Sequence, residues 1–418
     1  MSFYSNYSTS QKTKPFELVA PYGPGGDQPQ VIDKILSSLE QGNREQTVMG
    51  VTGCGKTFIM ANIVAKLQRP TLVIAHNKTL AAQLAEEFKR FFPNNAVHYF
   101  VSYYDYYQPE SYIAKSDTFI EKQTQINEEI ERLRNASTQA LLTRSDVLIV
   151  ASVSCIYGLG NPEDYNALKI ELEINQNYRL DKIYRRLVDM QFNRTNMDLK
   201  RGSFRSRGDT LEVYPANEEM VGYRFSFFGD VLENIESFEI LTGQAIEKMT
   251  SYIIFPARQY VTTFEKIQNA AKSIEADLFK RVEDLTNQGK LLPAERIKQR
   301  TMNDIEMLMQ TGFCAGIENY SVYFDGRNDG ESPTTLLDYF PQNALTFVDE
   351  SHITLPQIGA MYAGDRSRKE TLVEYGFRLP SAMNNRPLKR KEFFEKVNQI
   401  TYVSATPGDF ELGYGEFE

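Results

Sequence analysis

The sequence predicts an α/β fold built on a parallel, doubly wound sheet, and three observations predict it. The first is Gly50-Val-Thr-Gly-Cys-Gly-Lys-Thr57. It fits the phosphate-loop pattern G-x-x-x-x-G-K-[ST] and sits between a β-like run (46–49) and a helical run (58–67). The second is a repeat of the same unit, in which Thr71-Leu-Val-Ile-Ala75 feeds a helical pattern reaching Phe88. The third is a pair of later apolar strands, 147–150 and 344–348, the second ending in Asp349-Glu350. A phosphate loop and an apolar strand closing on two carboxylates are the two halves of an NTPase site.

Composition sets limits on function. With 418 residues, 41% hydrophobic and 24% charged, the chain has the make-up of an ordinary globular protein with room for about two to four domains. No apolar run is long enough to span a membrane, and the first twenty residues lack the apolar stretch of a secretory signal. Cys54, Cys155 and Cys314 are too few and too scattered for a disulfide framework or a zinc site, so a reducing cytoplasm is the simplest setting. A net charge of −9 excludes binding nucleic acid through an overall positive field and leaves room for a local basic channel.

Taken in order, residues 1–15 are polar and read as a disordered tail. A turn-rich lead from Phe16 enters a helix from about Gln28 to Leu39, with Asp27 as its N-cap. Tyr22 can stack and Gln28 can both donate and accept on a base edge, so the pair suits an adenine site; an ordinary solvated helix start fits as well. In the loop, Gly50, Gly53 and Gly55 permit a tight turn. Successive N–H groups, those of Val51, Thr52 and Cys54 among them, then face one anion at a helix N-terminus. Lys56 reaches the β and γ phosphates, the Thr57 hydroxyl holds Mg²⁺, and Cys54 occupies a free loop position as a structural residue. After the second strand, Asn77, Lys78 and Thr79 fall at the sheet edge where such folds bind ligands, although a loop with a helix cap explains them equally.

Residues 99–119 carry Tyr99, Tyr103, Tyr104, Tyr106, Tyr107 and Tyr112 around Pro109. Alternate rings cannot all face one core, so two strand arms of an exposed hairpin are expected, able to stack on bases; a tyrosine-rich edge strand is the plainer reading. A charged helix from about Glu121 to Arg134 leads to the buried strand at 147–150, with Ser152, Ser154 and Tyr157 at its end. From 163 to 256 short alternating strands (203–207, 210–214, 224–228, 235–240) follow helices, which marks an α+β insert outside the parallel sheet. Lys182, Arg185, Arg186, Arg194, Lys200, Arg201, Arg205 and Arg207 give it a basic stretch. That stretch suits nucleic acid, an acidic protein partner or a solvated face. Residues 263–311 have the spacing of long amphipathic helices broken near Gly289.

In Ala344-Leu-Thr-Phe-Val-Asp-Glu-Ser-His352, Asp349 binds Mg²⁺ through its water shell and Glu350 orients and deprotonates the attacking water. His352 is a relay or a helix cap. A last strand, Ile400-Thr-Tyr-Val-Ser-Ala-Thr-Pro-Gly408, places Ser404 and Thr406 at the sheet edge.

GVTGCGKT, DESH and SATP together resemble superfamily-two helicases. The blocks FELVAPY, GDQPQ, AHNKTLAAQL, SYYDYYQPESY, IVASVSCIYGLG, GFCAGIENYS, LLDYFP, VDESHITLPQ, GFRLPSAMNNRPL and TYVSATPG resemble, more closely, the bacterial excision-repair UvrB family from about Phe16 to Gly408. The resemblance implies a RecA-like ATPase domain over 16–98, 120–162 and 336–418, a hairpin at 99–119, a UvrA-facing insert at 163–256 and a mainly helical subdomain at 257–335. It implies ATP and Mg²⁺ as cofactors, with Lys56, Asp349 and Glu350 catalytic and with His352, Ser404 and Thr406 coupling nucleotide to DNA. Tyr103, Tyr104, Tyr106 and Tyr107 fall at the hairpin base, Phe119 at its far end, and Arg194, Arg205 and Arg207 in the UvrA-facing region. The implied task is to receive damaged DNA from UvrA, thread one strand behind the hairpin, and recruit UvrC. Two departures stand out. Gly23 occupies a position where an acidic residue is usual, and the second RecA-like domain and the UvrC-binding hairpin are expected to be missing. The 418-residue chain is therefore expected to hydrolyse ATP negligibly, as a UvrA- and DNA-binding module, whereas the complete protein is a DNA-stimulated ATPase with limited helicase activity.

Overall fold

The computed structural model describes residues 14–413, so the expected tail lies almost wholly outside the described residues. Helix α1 (Gln28–Glu40) precedes an alternation of β1 (Glu45–Met49), α2 (Lys56–Leu67), β2 (Thr71–Ala75), α3 (Lys78–Phe91) and β3 (Ala96–Phe100). A two-tiered hairpin follows, made of β4 (Tyr104–Gln108), β5 (Ser111–Ile113), β6 (Thr118–Ile120) and β7 (Gln123–Ile126). Its outer tier pairs β4 with β7 and its inner tier β5 with β6. Then come α4 (Glu128–Thr143) and β8 (Val147–Ser152).

The central sheet takes up two distant strands, Leu345–Asp349 and Gln399–Ser404. Its order is β1, 399–404, 345–349, β2, β8, β3, and every pairing is parallel. Four of these strands are buried at every position, because layers cover both faces; hence their unbroken apolar runs. Alternate residues divide between two cores. Leu72, Ile74, Ile149 and Val348 join Leu141, Leu336 and Phe393 on one face, while Val73, Leu148, Val150 and Phe347 join Ile35, Ile63 and Leu84 on the other.

The insert builds a separate six-stranded sheet through Ser203–Arg207, Thr210–Tyr214, Val221–Phe228 and Val231–Glu239, with Asn193–Arg194 and Ala245–Met249 at its edges. Across it, Arg205, Glu212, Arg224, Glu236 and Lys248 lie opposite one another in register, a ladder of alternating charge. Arg205 and Arg224 both bond Glu212, at 2.5 and 2.9 Å. Part of the basic stretch is thus neutralised within the sheet, while Arg185, Arg194, Lys200 and Arg207 stay exposed. Helices Phe264–Asn287 and Leu291–Thr311 pack through Ile274, Leu278, Leu285, Ile297 and Leu308, with the break at Gly289, whose φ is 73°.

Four local expectations are corrected. Asp27 makes no side-chain cap to α1. The charged helix begins at Glu128: Asn127 accepts from the N–H groups of Glu129 and Ile130, and three glutamates fill the first turn. Residues 123–126 are strand instead, because β4 supplies their partner. Tyr99 belongs to the parallel sheet, so the hairpin covers about 104–126 rather than 99–119. In the insert, the strands expected at 224–228 and 235–240 run from Val221 to Phe228 and from Val231 to Glu239.

Gly160 is where the ATPase core meets the chain leaving the insert. A Cβ there would lie 1.8 Å from the Gln259 carbonyl oxygen, a backbone atom that cannot swing aside. Gly160→Ala should therefore destabilise the chain by roughly 1–3 kcal/mol, read as a lower urea midpoint. An unchanged midpoint would show that the two backbones are not held together.

Candidate functional site

All six parallel strands carry their carboxyl ends to one edge, and the phosphate loop after β1 meets the ends of the two strands next to it in the sheet order, 399–404 and 345–349. The Gly50 N–H donates to the Ser404 carbonyl at 3.1 Å, which ties the loop to the neighbouring strand. Gly53 and Gly55 have φ of 82° and 83°, conformations glycine adopts without a steric penalty, and α2 starts immediately afterwards at Lys56. A Cβ on Gly50 would lie 2.6 Å from Cys54 Sγ, and one on Gly55 2.5 Å from Gln28 Nε2. Val51, Thr52 and Gly53 are exposed, while Lys56 and Thr57 are half-buried.

Lys56 Nζ donates to the Gly50 carbonyl and pairs with Glu350 Oε1, each at 3.2 Å. Asp349 ends its strand buried, and the chain turns at Glu350 with φ 43°, a left-handed conformation unusual outside glycine. Burial, followed by the neighbouring Glu350 charge, pushes the Asp349 carboxyl up to about 6 against the pull of Lys56. His352 Nδ1 lies 2.7 Å from Ser404 Oγ, which also accepts from the Thr406 N–H at 3.0 Å. Thr57, Asp349 and Glu350 supply the hard oxygen donors suited to a nucleotide-borne Mg²⁺, and the glycine-lined loop leaves the backbone close approach to phosphate.

Tyr22 is 58% exposed, its ring set edge-on to Phe58 at 5.0 Å. Gln28 turns back onto the loop: Nε2 donates to the Cys54 carbonyl at 2.8 Å, and Oε1 accepts from the Gly25 N–H at 3.1 Å. Its amide braces the phosphate loop.

The hairpin leaves the same edge of the sheet, but its rings are not uniformly exposed. Tyr103 and Tyr104 pack with ring centroids 4.4 Å apart and planes tilted by 34°, and the buried Arg134 guanidinium lies 5.0 Å from Tyr103 and 3.9 Å from Phe100. Tyr106 is 51% exposed; the side chain of Tyr107 lies outside the described residues. At the far end, Phe119 stacks on Phe377 at 4.3 Å with planes 3° apart, and Tyr112 meets Tyr375 and Phe377. Asn77 caps α3 through the Leu80 N–H, and Lys78 Nζ donates to the Tyr104 carbonyl at 2.7 Å.

Sequence reasoning missed what pins the tip. Glu110 is buried between Arg378 (2.8 Å) and Arg300 (3.0 Å), and its carbonyl accepts from Arg368 at 2.8 Å. Lys122 on the returning side pairs with Glu318 at 2.9 Å. The turn expected around Pro109 lies instead at 114–117, between β5 and β6, and 109–110 is a break within one arm; nothing local says that a carboxylate there is buried.

Comparison with known proteins matches residues 170–260 to the UvrB interaction domain, 265–326 to the UvrB third helical domain, and 23–151 to the res subunit of type III restriction enzymes. The chain is similar to UvrABC system protein B of Clostridium botulinum (strain Loch Maree / Type A3), 55% identical over 399 residues. The proteins of the same name from Clostridium acetobutylicum and Symbiobacterium thermophilum are 54% and 55% identical over 401 and 399 residues. Each similarity takes in 96% of this chain and 60% of the relative, so the chain spans about three fifths of the length of these curated relatives.

The raised Asp349 carboxyl has a stability consequence. Between the ordinary value of 3.8 and about 6, the folded chain holds this proton more tightly than the unfolded chain. Stability from this group therefore falls as pH rises through that window and stays low above it. Asp349→Asn should raise the unliganded chain's stability at pH 7.5 by up to roughly 2–3 kcal/mol, with the gain vanishing near pH 4. Urea unfolding at both pH values checks this; equal stability of the two proteins at pH 7.5 contradicts it.

Proposed function

The chain belongs to the UvrB family, and from that premise we propose that it acts in nucleotide excision repair as an ATP-dependent verifier of damaged DNA. One observation carries the reading: a tyrosine-bearing hairpin rooted on the sheet edge that carries the phosphate loop and docked farther out on Phe377 and Arg378 and, through Arg300 and Glu318, on the helical region. A strand of DNA held by such a hairpin lies next to the element that senses nucleotide.

In this reading Gly50, Val51, Thr52, Gly53, Cys54, Gly55 and Lys56 grip the ATP phosphates, with Tyr22 and Gln28 beside the adenine. Thr57 and Asp349 would hold Mg²⁺, which would supply charge neutralisation to the nucleotide phosphates. Glu350, already opposite Lys56, orients the attacking water. The His352–Ser404 contact links the carboxylate strand to the last strand of the sheet, so a change at Glu350 is felt at Thr406. Tyr103, Tyr104 and Tyr106 present faces and edges for base stacking, and Phe119 holds the far end. The insert faces UvrA, UvrC acts on the resulting complex, and the setting is the cytoplasm. No helix among the described residues is long and apolar enough to cross a membrane.

Two substitutions separate the halves of the proposal. Lys56→Ala should weaken binding of a fluorescent ATP analogue roughly 10- to 100-fold, the worth of a charge-assisted bond, while leaving single-stranded DNA affinity in place. Tyr106→Ala should cost about 1–3 kcal/mol of DNA affinity at unchanged nucleotide affinity. DNA binding that ignores Tyr106→Ala would remove stacking from the mechanism.

A further inference from the structure

We infer that Lys78 is a positioning residue, one that sets the angle at which the tyrosine hairpin leaves the ATPase core. Lys78 is the first residue of α3, just after the Asn77 cap. A cation there faces the positive end of the helix dipole, so helix stability does not account for it. Its side chain instead crosses to the hairpin, where Nζ donates to the Tyr104 carbonyl at 2.7 Å. Its own carbonyl accepts from the Tyr99 hydroxyl at 2.9 Å. Lys78 is therefore fastened on both sides of the short connection 101–103 that joins β3 to the hairpin, through its side chain after the connection and its backbone before it.

The place it holds is one the strand ladder does not fix alone. The register of β4 on β7 slips between Tyr104 and Tyr106, and a slipped ladder bends and twists the ribbon locally. The opposite arm has its own anchor. The Asn127 N–H donates to the Tyr103 carbonyl at 2.8 Å, and its side-chain amide donates to the Asp105 carboxylate at 3.1 and 3.0 Å while its oxygen caps α4. The root is thus held between α3, through Lys78, and α4, through Asn127. Where the first arm begins, the tilted Tyr103 and Tyr104 rings pack together with their hydroxyls 3.1 Å apart.

α3 follows β2 directly and leaves the same sheet edge as the phosphate loop. Lys78 consequently makes the direction of Tyr103, Tyr104 and Tyr106 a property of the ATPase sheet rather than of the hairpin. The consequence for DNA rests on the hairpin role proposed above; the positioning itself does not.

Hydrogen–deuterium exchange on the 418-residue chain without nucleotide or DNA reads the positioning directly. Lys78→Met keeps the stem and removes the ammonium. Amides of β4 and β7 should then exchange at least about ten-fold faster, the worth of one charge-assisted bond, with α3 and residues 50–57 unchanged. Lys78→Arg should keep most of the protection. Hairpin exchange that stays at the wild-type rate in Lys78→Met overturns the inference, and so does faster exchange spread equally over α3, which would mean general destabilisation. Single-stranded oligonucleotide binding supplies the second arm. A loss of affinity in Lys78→Met with wild-type hairpin exchange makes Lys78 a phosphate contact and overturns positioning. Faster hairpin exchange with DNA affinity unmoved in both Lys78→Met and Tyr106→Ala upholds positioning and removes the hairpin from DNA binding.

Discussion

All six strands of the central sheet run in one direction, and the chemistry of this protein depends on that constraint. Parallel strands put every carboxyl end on one edge, about 5 Å apart from strand to strand. Because 399–404 lies between β1 and 345–349, residues far apart in the chain become neighbours. The Gly50 N–H reaches Ser404, Lys56 reaches Glu350, and His352 reaches back to Ser404. Crossovers need long connections, and the chain uses that freedom to hang a hairpin between β3 and β8 and an insert and a helical region between β8 and 345–349. The appended parts therefore all issue from one rigid platform.

The same platform makes the site costly to maintain. A strand covered on both faces can end in a carboxylate only if burial is tolerated, and Asp349 shows the cost in its raised affinity for a proton. Glu350 adds a left-handed backbone, a strain of about 1–3 kcal/mol for a non-glycine residue. The Lys56–Glu350 pair offsets part of this, with both side chains largely shielded from water. The same ammonium is hydrogen-bonded to the Gly50 carbonyl, so the pair also ties the carboxylate strand to the glycine loop.

Legibility in the sequence followed the range of the forces involved. The phosphate loop, β2 and the Asp349-Glu350 strand were readable because glycine geometry and continuous burial leave local marks. The strands at 203–207 and 210–214 were readable for a similar reason, turn chemistry at Arg207-Gly-Asp. What failed was set by partners distant in sequence. Residues 123–126 look like the start of a charged helix and become a strand because β4 lies beside them. Tyr99 looks like its tyrosine neighbours and joins the parallel sheet because β8 lies beside it. The basic residues of 182–207 look like one basic face, yet Arg205 is paired with Glu212 across the sheet. Exposure of a tyrosine and burial of Glu110 are likewise facts about what packs against them.

The two ends of the hairpin are held by different kinds of energy, and the difference bears on what it can do. At the tip, the stacked Phe119–Phe377 pair is worth about 0.5–1.5 kcal/mol beyond its buried area. The Glu110–Arg378 pair is buried on both sides, and a buried pair returns little net stability once desolvation is counted. Removing one partner is far worse, because the other charge is left in a poor solvent, so the contact selects one docked geometry more strongly than it deepens it. The Arg378 Nη1 and Asp304 Oδ2 atoms, 3.9 Å apart, extend that network into the helical region. A tip held this way is specific yet releasable when water or another charge can replace both partners together. The root is instead anchored at the N-termini of α3 and α4, by the Lys78 ammonium on the Tyr104 carbonyl and by the Asn127 N–H on the Tyr103 carbonyl. The direction of the hairpin is thus set at its root by the ATPase core, and its docked geometry is set farther out by paired charges.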